Sequence, residues 1–427
     1  MASGDGDYFA VSPTDRSMAI LDRTSPVAFH VIWDLLGTVD REALDLAWQD
    51  LATVHPILGC AFDIDRDSTW RPGRQLPPIW LVDERPAGEL ALPIDSSREA
   101  VVRLSAVEIA DGFRFVLAAH HAAFDGVASV VLLEDLRSLY VSRVSDAHQP
   151  PQADWSSRTV EGLGPQNRLG FFERQSVVAR GLDRWRRLPV STHVDPSSSA
   201  PDAAATDYVA FEVGSVLASF EEQRRRRNWS VDAVLVGILE AAWIETFGSG
   251  AGASGWLVAQ DLRPGFGVSR GLGNLSGVEP VAIRAPHLRP IELLIEQAAA
   301  EMAITKSNSP GLGPELMARA WAWMPTQLLN RGVEWMIQSG LRSRYTRSLS
   351  NLGRLPSSLN EWGEAEMATI RFVGPMAKAP YTSFIAFAHG SSSWLTVRVS
   401  EGWLTRRHAG QLEEAIFHNL TPPEVAR

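Results

Sequence analysis

HHAAFDG, His120 to Gly126, is the stretch whose reading decides the fold. In front of it, Phe113, Phe115 and Leu117 alternate with Arg114, Val116 and Ala118, the two-residue period of a half-buried strand. Behind it, Val127, Val130, Val131, Leu133 and Leu136 recur at near-helical spacing, so Asp125-Gly126 is a tight turn feeding a helix of about four turns. The two histidines are thus delivered at a strand-to-helix corner. Adjacent side chains on extended backbone point opposite ways, so His120 and His121 do not both reach one small reacting atom, and one of them is the candidate base. Imidazole, with an ordinary pKa of about 6.5, suits proton transfer at neutral pH, and the turn after it offers a backbone N–H to a developing oxyanion. A hydrogen-bonded core histidine is the competing reading. Metal ligation is disfavoured, because no third ligand lies at the i, i+4 spacing of a zinc helix and Cys60 is the only cysteine.

The string as a whole resembles HHxxxDG, the signature of the condensation-domain and chloramphenicol-acetyltransferase-like acyltransferases, including their polyketide-associated and alcohol acetyltransferase-like branch. Three other segments are similar to that family and fall in its order. His55-Pro56-Ile57-Leu58 resembles the HPxL helix end; QDLRP, ending at Pro264, resembles the strand end that carries an arginine; and Ser348 to Pro356, SLSNLGRLP, resembles the SNxG segment. Gly271 to Gly277 look like the family's glycine-asparagine loop with altered spacing, and the plant-type DFGWG string is absent.

The resemblance covers nearly the whole chain and implies an α/β protein of two chloramphenicol-acetyltransferase-like lobes, each of α+β layers, forming a V-shaped pseudo-dimer with a central tunnel. The expected lobes are residues 1–160, with the motif, and 161–427. It implies acyl transfer from a coenzyme A or phosphopantetheinyl thioester to a hydroxyl or amine, with His121 as general base and the Gly126 N–H on the oxyanion. His120 and Asp125 shape the loop, and Arg263 pairs with Asp125. Ser350 or Asn351 is the second choice for the oxyanion or substrate. No permanently bound cofactor, no metal and no covalent acyl-enzyme are implied. The partners it admits are a small-molecule acceptor and an acyl or peptidyl carrier protein, with a monomer expected. Cyclisation or dehydration of a carrier-bound intermediate on the same scaffold, and non-catalytic carrier docking, stay open as alternatives; the intact second histidine counts against docking.

Composition agrees with a two-lobed globular chain: 427 residues, 45% apolar and 21% charged. A net charge of −10 argues against a duplex-binding surface. A single cysteine excludes an intrachain disulfide, no apolar run approaches a membrane span, and the acidic start MASGDGDYFA lacks a secretory pattern, so a cytoplasmic protein is expected.

Along the chain, Asp40 caps a helix with its stripe at Leu44, Ala47, Leu51 and Val54, stopped by Pro56, with His55 a helix-end histidine. GCAFDIDRDSTWRPG predicts a hairpin, and Val101 to Val107 with Phe113 to Ala119 a second one, turned at Asp111-Gly112. Residues 142–165 and 189–207 read as loops flanking a helix over 166–188. A helix from Gly214 carries Arg224 to Arg227, either a solvated helix end or a landing site for an acidic carrier or a phosphate, and Ser230 caps an apolar helix. Gly250 to Gly255 satisfy GxGxxG, but with a helix before and a strand after, the reverse of the dinucleotide fold. Helices are expected over 290–306 and 315–339, the second with Trp321, Trp323 and Trp335 either packing or lining an acyl channel.

Overall fold

A computed structural model describes residues 9–23, 26–65, 69–72, 77–81, 94–145, 170–188, 207–248, 253–266, 270–284, 290–307, 324–338, 347–375, 382–399 and 404–418. They form two six-stranded mixed sheets, a small three-stranded one, and helices packed on them. The first large sheet runs, in spatial order, Glu361–Trp362, Ala365–Val373, Ala28–Gly37, Gly112–His120, Val102–Ile109 and Ile79–Leu81. The second runs Ser276–Ile283, Ser254–Asp261, Arg347–Arg354, Thr382–His389, Ser392–Val399 and Asp207–Glu212.

Each sheet owns a core. In the first, the faces of Val31, Trp33, Leu35, Phe115 and Leu117 pack on Leu44, Ala47, Trp48 and Leu51 of the helix Arg41–Val54 and on Leu132, Leu133 and Leu136 of the helix Gly126–Val144. In the second, Trp256, Val258, Leu349, Phe384 and Leu395 lie under the helices Val231–Phe247, Ile291–Ser307 and Arg406–His418. Burial of this kind is what the alternating strands and striped helices of the sequence demand. Caps fix the helix starts: Asp40, Asp125 and Ser230 each accept the N–H three residues on, at 3.0, 2.8 and 3.2 Å.

The chain crosses between the sheets. Ala365–Val373, beyond the halfway point and within the stretch read as the second lobe, pairs with Ala28–Gly37 in the first sheet, and Trp362 stacks on Trp33 at 6.2 Å. Ile385 and Phe387 turn the outer face of the second sheet onto the first core.

Most local expectations hold. Cys60–Ala61 and Thr69–Pro72 pair antiparallel, as do Val102–Ile109 and Gly112–His120. Others shift. The helix from Gly214 breaks at Phe220 into Gly214–Ser219 and Glu221–Arg227, and the latter ends on Asn228 at φ 53°. Residues 142–144 belong to the helix Gly126–Val144 rather than to a loop, and the next helix begins at Phe171. The loops over 146–169 and 189–206, Gly250 to Gly252, and Trp321 and Trp323 lie outside the described residues.

Candidate active site

The motif is built as a corner. The strand Gly112–His120 ends with the His120 N–H donating to Val101 O at 2.9 Å, and the turn closes through the Ala123 N–H onto His120 O, also at 2.9 Å. Asp125 then caps the helix Gly126–Val144.

The two histidines diverge, as adjacent side chains at a strand end must. His120 is fully buried; its Nδ1 accepts the Ala122 N–H at 3.2 Å, which places the ring proton on Nε2, 3.4 Å from Asp22 Oδ2. His121 is half-buried, edge-on to Phe29 at 5.5 Å, with Asn274 beside it. Asn274 Nδ2 donates to His121 O at 2.8 Å and lies 3.2 Å from His121 Nδ1. Desolvation lowers the His121 pKa below its ordinary value, and the nearby His120 acts in the same direction. The carbonyls of His121 and Phe124 and the Asp125 carboxylate offset this in part. Neutral imidazole is therefore favoured at pH 7.

Asp125 is the most heavily bonded carboxylate of the site. It accepts from Arg263 Nη1 at 3.0 Å and Nη2 at 2.9 Å, from the N–H groups of Leu275 at 2.7 Å and Ala128 at 2.8 Å, and from Ser276 Oγ at 3.0 Å. The rest of the Arg263 fork donates to Gly271 O, Gly273 O and Asp261 Oδ1. Burial opposes the guanidinium charge, but the carboxylates of Asp125 and Asp261 outweigh it and raise the pKa above the ordinary value. The pair read from the sequence as Asp125–Arg263 thus ties the motif to the loop Gly271 to Gly277.

Gly126 opens the helix, where N–H groups have no intrahelical acceptor and the helix dipole is positive. A Cβ there would stand 2.7 Å from Leu352 Cδ2 and would push the tip of that side chain aside. Leu352 arrives on the irregular end of the strand Arg347–Arg354, whose pairing shifts register between Asn351 and Arg354. Asn351 shapes that irregularity: its Nδ2 donates to Asp232 Oδ1 at 2.7 Å and its Oδ1 accepts from the Gly353 N–H at 3.0 Å. Both ends of its amide are engaged within the second lobe. Ser350 is half-buried and follows Leu349, which faces the second core, so Ser350 faces the opposite side of the sheet, the side from which Leu352 packs on the first core.

Asn274, Ser276 and Asp22 were not singled out as site residues in the sequence. Asn274 and Ser276 did lie inside the recognised loop, and only its folded path brings them to the motif. His55 caps its helix and contacts Asp135 Oδ2 at 2.9 Å, consistent with a helix-end role. Of the arginine run, Arg224 and Arg225 pair with Glu221, and Arg227 with Glu296. Among the described residues no cluster of metal-ligating side chains occurs, and no helix is long and apolar enough to cross a membrane.

No protein-family model matches the chain. FR901469 synthetase from Dothideomycetidae sp. is 24% identical over 309 residues, 68% of this chain and 2% of that protein. Coprinoferrin synthetase from Coprinopsis cinerea is 29% identical over 141 residues, 28% of this chain and 6% of that protein. The chain therefore spans a small fraction of these relatives' length. Solved structures match it almost end to end. A trichothecene 15-O-acetyltransferase from Fusarium sporotrichioides has a TM-score of 0.72 at 12% identity, covering 97% of this chain and 94% of that one. The condensation domain of the monacolin K polyketide synthase has a TM-score of 0.67 at 15% identity, covering 97% and 96%. Polyketide synthase associated protein 5 from Mycobacterium tuberculosis has a TM-score of 0.64 at 14% identity, covering 96% and 97%. Two mixed sheets with their own cores, joined through an aspartate–arginine pair beside a histidine corner, give this chain the two-lobed fold of the solved condensation domains and of the trichothecene 15-O-acetyltransferase that it matches.

Proposed function

We propose that this chain is an acyltransferase that moves an acyl group from a thioester, on coenzyme A or a carrier protein, to a hydroxyl or amine. One observation carries the reading: of the two motif histidines, His120 is closed off in the interior while His121 keeps accessible surface and an environment that favours the neutral ring.

The neutral His121 ring carries one unprotonated nitrogen. That nitrogen takes the proton of the acceptor O–H or N–H as its heteroatom bonds to the acyl carbon. The Gly126 N–H, at the positive helix end, stabilises the resulting oxyanion. Collapse breaks the carbon–sulfur bond, and the departing thiolate recovers the proton from the His121 imidazolium. Asp125 and Arg263 act as architecture, holding the corner rather than reacting. Ser350 stands on the sheet face toward the first lobe and is the proposed additional polar contact to substrate.

A mass-spectrometric screen tests this directly. Purified protein is given acyl-coenzyme A and acyl-pantetheine thioesters of graded chain length together with alcohol and amine acceptors. The expected result is acceptor-dependent release of free thiol with a matching ester or amide mass; thioesters that persist unchanged with every acceptor would sink the proposal.

A further inference from the structure

A carboxylate outside the motif reaches it. Asp22 is the last residue of the helix Pro13–Asp22; its Oδ1 accepts the Val27 N–H at 2.9 Å, and its Oδ2 stands 3.4 Å from His120 Nε2. His120 is fully buried, and its Nδ1 already accepts the Ala122 N–H, so the neutral ring carries its proton on Nε2, the side that faces the carboxylate. The same residue receives the turn: His120 O accepts from the Ala123 N–H at 2.9 Å and from the Phe124 N–H at 3.4 Å. Whatever fixes the His120 ring therefore fixes the backbone from which His121 projects.

We propose that Asp22 is a positioning residue for the reaction, holding the His120 ring and through it the placement of His121. The idea rests on His121 being the base. Its logic is geometric. The carboxylate stands on the Nε2 side of a buried ring whose Nδ1 is engaged by the turn, so the ring is held between the helix end and the corner. Asp125, the motif carboxylate, is taken up by Arg263, while His30 and Arg103 flank Ala118, two residues back on the same sheet face.

The test compares Asp22→Asn, Asp22→Ala and Asp22→Glu with the wild-type protein by thermal melting, by the kinetics of thioester turnover, and by NMR of the imidazole resonances. In Asp22→Asn and Asp22→Ala, kcat falls about tenfold with KM unchanged. Asp22→Glu restores most of the loss. The His121 imidazole resonances shift in Asp22→Asn and Asp22→Ala and return toward their wild-type positions in Asp22→Glu, a readout that needs no turnover. A folded Asp22→Asn or Asp22→Ala protein with wild-type kcat and unshifted His121 resonances overturns the proposal, as does a loss confined to melting temperature. If the wild-type protein itself consumes no thioester, the acyl-transfer reading fails while the NMR arm still decides the Asp22–His120–His121 coupling.

Discussion

Two fully buried arginine–carboxylate pairs stand among the described residues, and they are built differently. Arg263 and Asp125 are saturated: every oxygen of the carboxylate and every nitrogen of the guanidinium has a partner, several of them backbone groups of the loop Gly271 to Gly277. Arg347 and Glu240 are not. Arg347 lies between the rings of Trp243 and Trp256, 5.0 Å from each centroid, with Nη1 2.9 Å from Glu240 Oε2 but out of hydrogen-bond alignment, and its Nε and Nη2 have no hydrogen-bond partner among the described residues. Trp256 Nε1 supplies Glu240 with a hydrogen bond of 2.8 Å. Burial lowers the Arg347 pKa from its ordinary value, partly offset by Glu240, whereas Arg263 is raised. Buried charge alone does not mark a site. What distinguishes the first pair is that its hydrogen bonds fix backbone across the two lobes; the second is internal to one core.

The largest effect that breaks this comparison is a charge left without its partner. Arg263→Met strands the Asp125 carboxylate and orphans Gly271 O and Gly273 O, and is expected to cost about 3–5 kcal/mol in urea unfolding, with loss of activity. Replacing both members, Asp125→Leu with Arg263→Met, does not recover that stability, because the Leu275 and Ala128 N–H groups then lose their acceptor. The matching double replacement Glu240→Gln with Arg347→Met keeps an acceptor for Trp256 Nε1 and is expected to be neutral, or more stable by about 1–4 kcal/mol, since it removes a poorly satisfied charge pair from an aromatic core. Equal losses in the two double variants would remove the distinction drawn here.

Smaller effects sharpen it at the corner itself. Asn274→Ala deletes one hydrogen bond to the His121 carbonyl and is expected to lower kcat about tenfold, the equivalent of roughly 1.4 kcal/mol, with little change in melting temperature. The pH profile gives the sign of the His121 environment. With its proton affinity lowered by desolvation, the ring is the free base at neutral pH, so activity is lost only as pH falls below about 6.5. An acid limb above that value would contradict the environment described. Ser350→Ala is the mildest change, expected within about 0.5 kcal/mol in stability and visible chiefly in KM.

Much of this arrangement was legible in the sequence, for physical reasons. The strand-to-helix corner announces itself because periodicity switches from two to 3.6 across Asp125-Gly126, and both periods are local properties. Arg263 was findable because it follows a strand end within a recognisable string. The crossing of Ala365–Val373 into the first sheet was not, since strand pairing between distant segments leaves no local trace. Asn274 and Asp22 escaped for the same reason: a polar residue in a loop or at a helix end looks ordinary until the fold carries it to an imidazole. The break at Phe220 was hidden because phenylalanine is acceptable within a helix; the backbone there kinks without a proline or glycine to announce it.

The central claim is that one neutral imidazole, His121, performs the proton transfer. The measurement closest to it is thioester consumption by His121→Ala, read beside a thermal melt of the same sample. The expected result is a fall in turnover of about 10²–10⁴-fold at an unchanged melting temperature. Wild-type turnover in the folded variant would contradict the account.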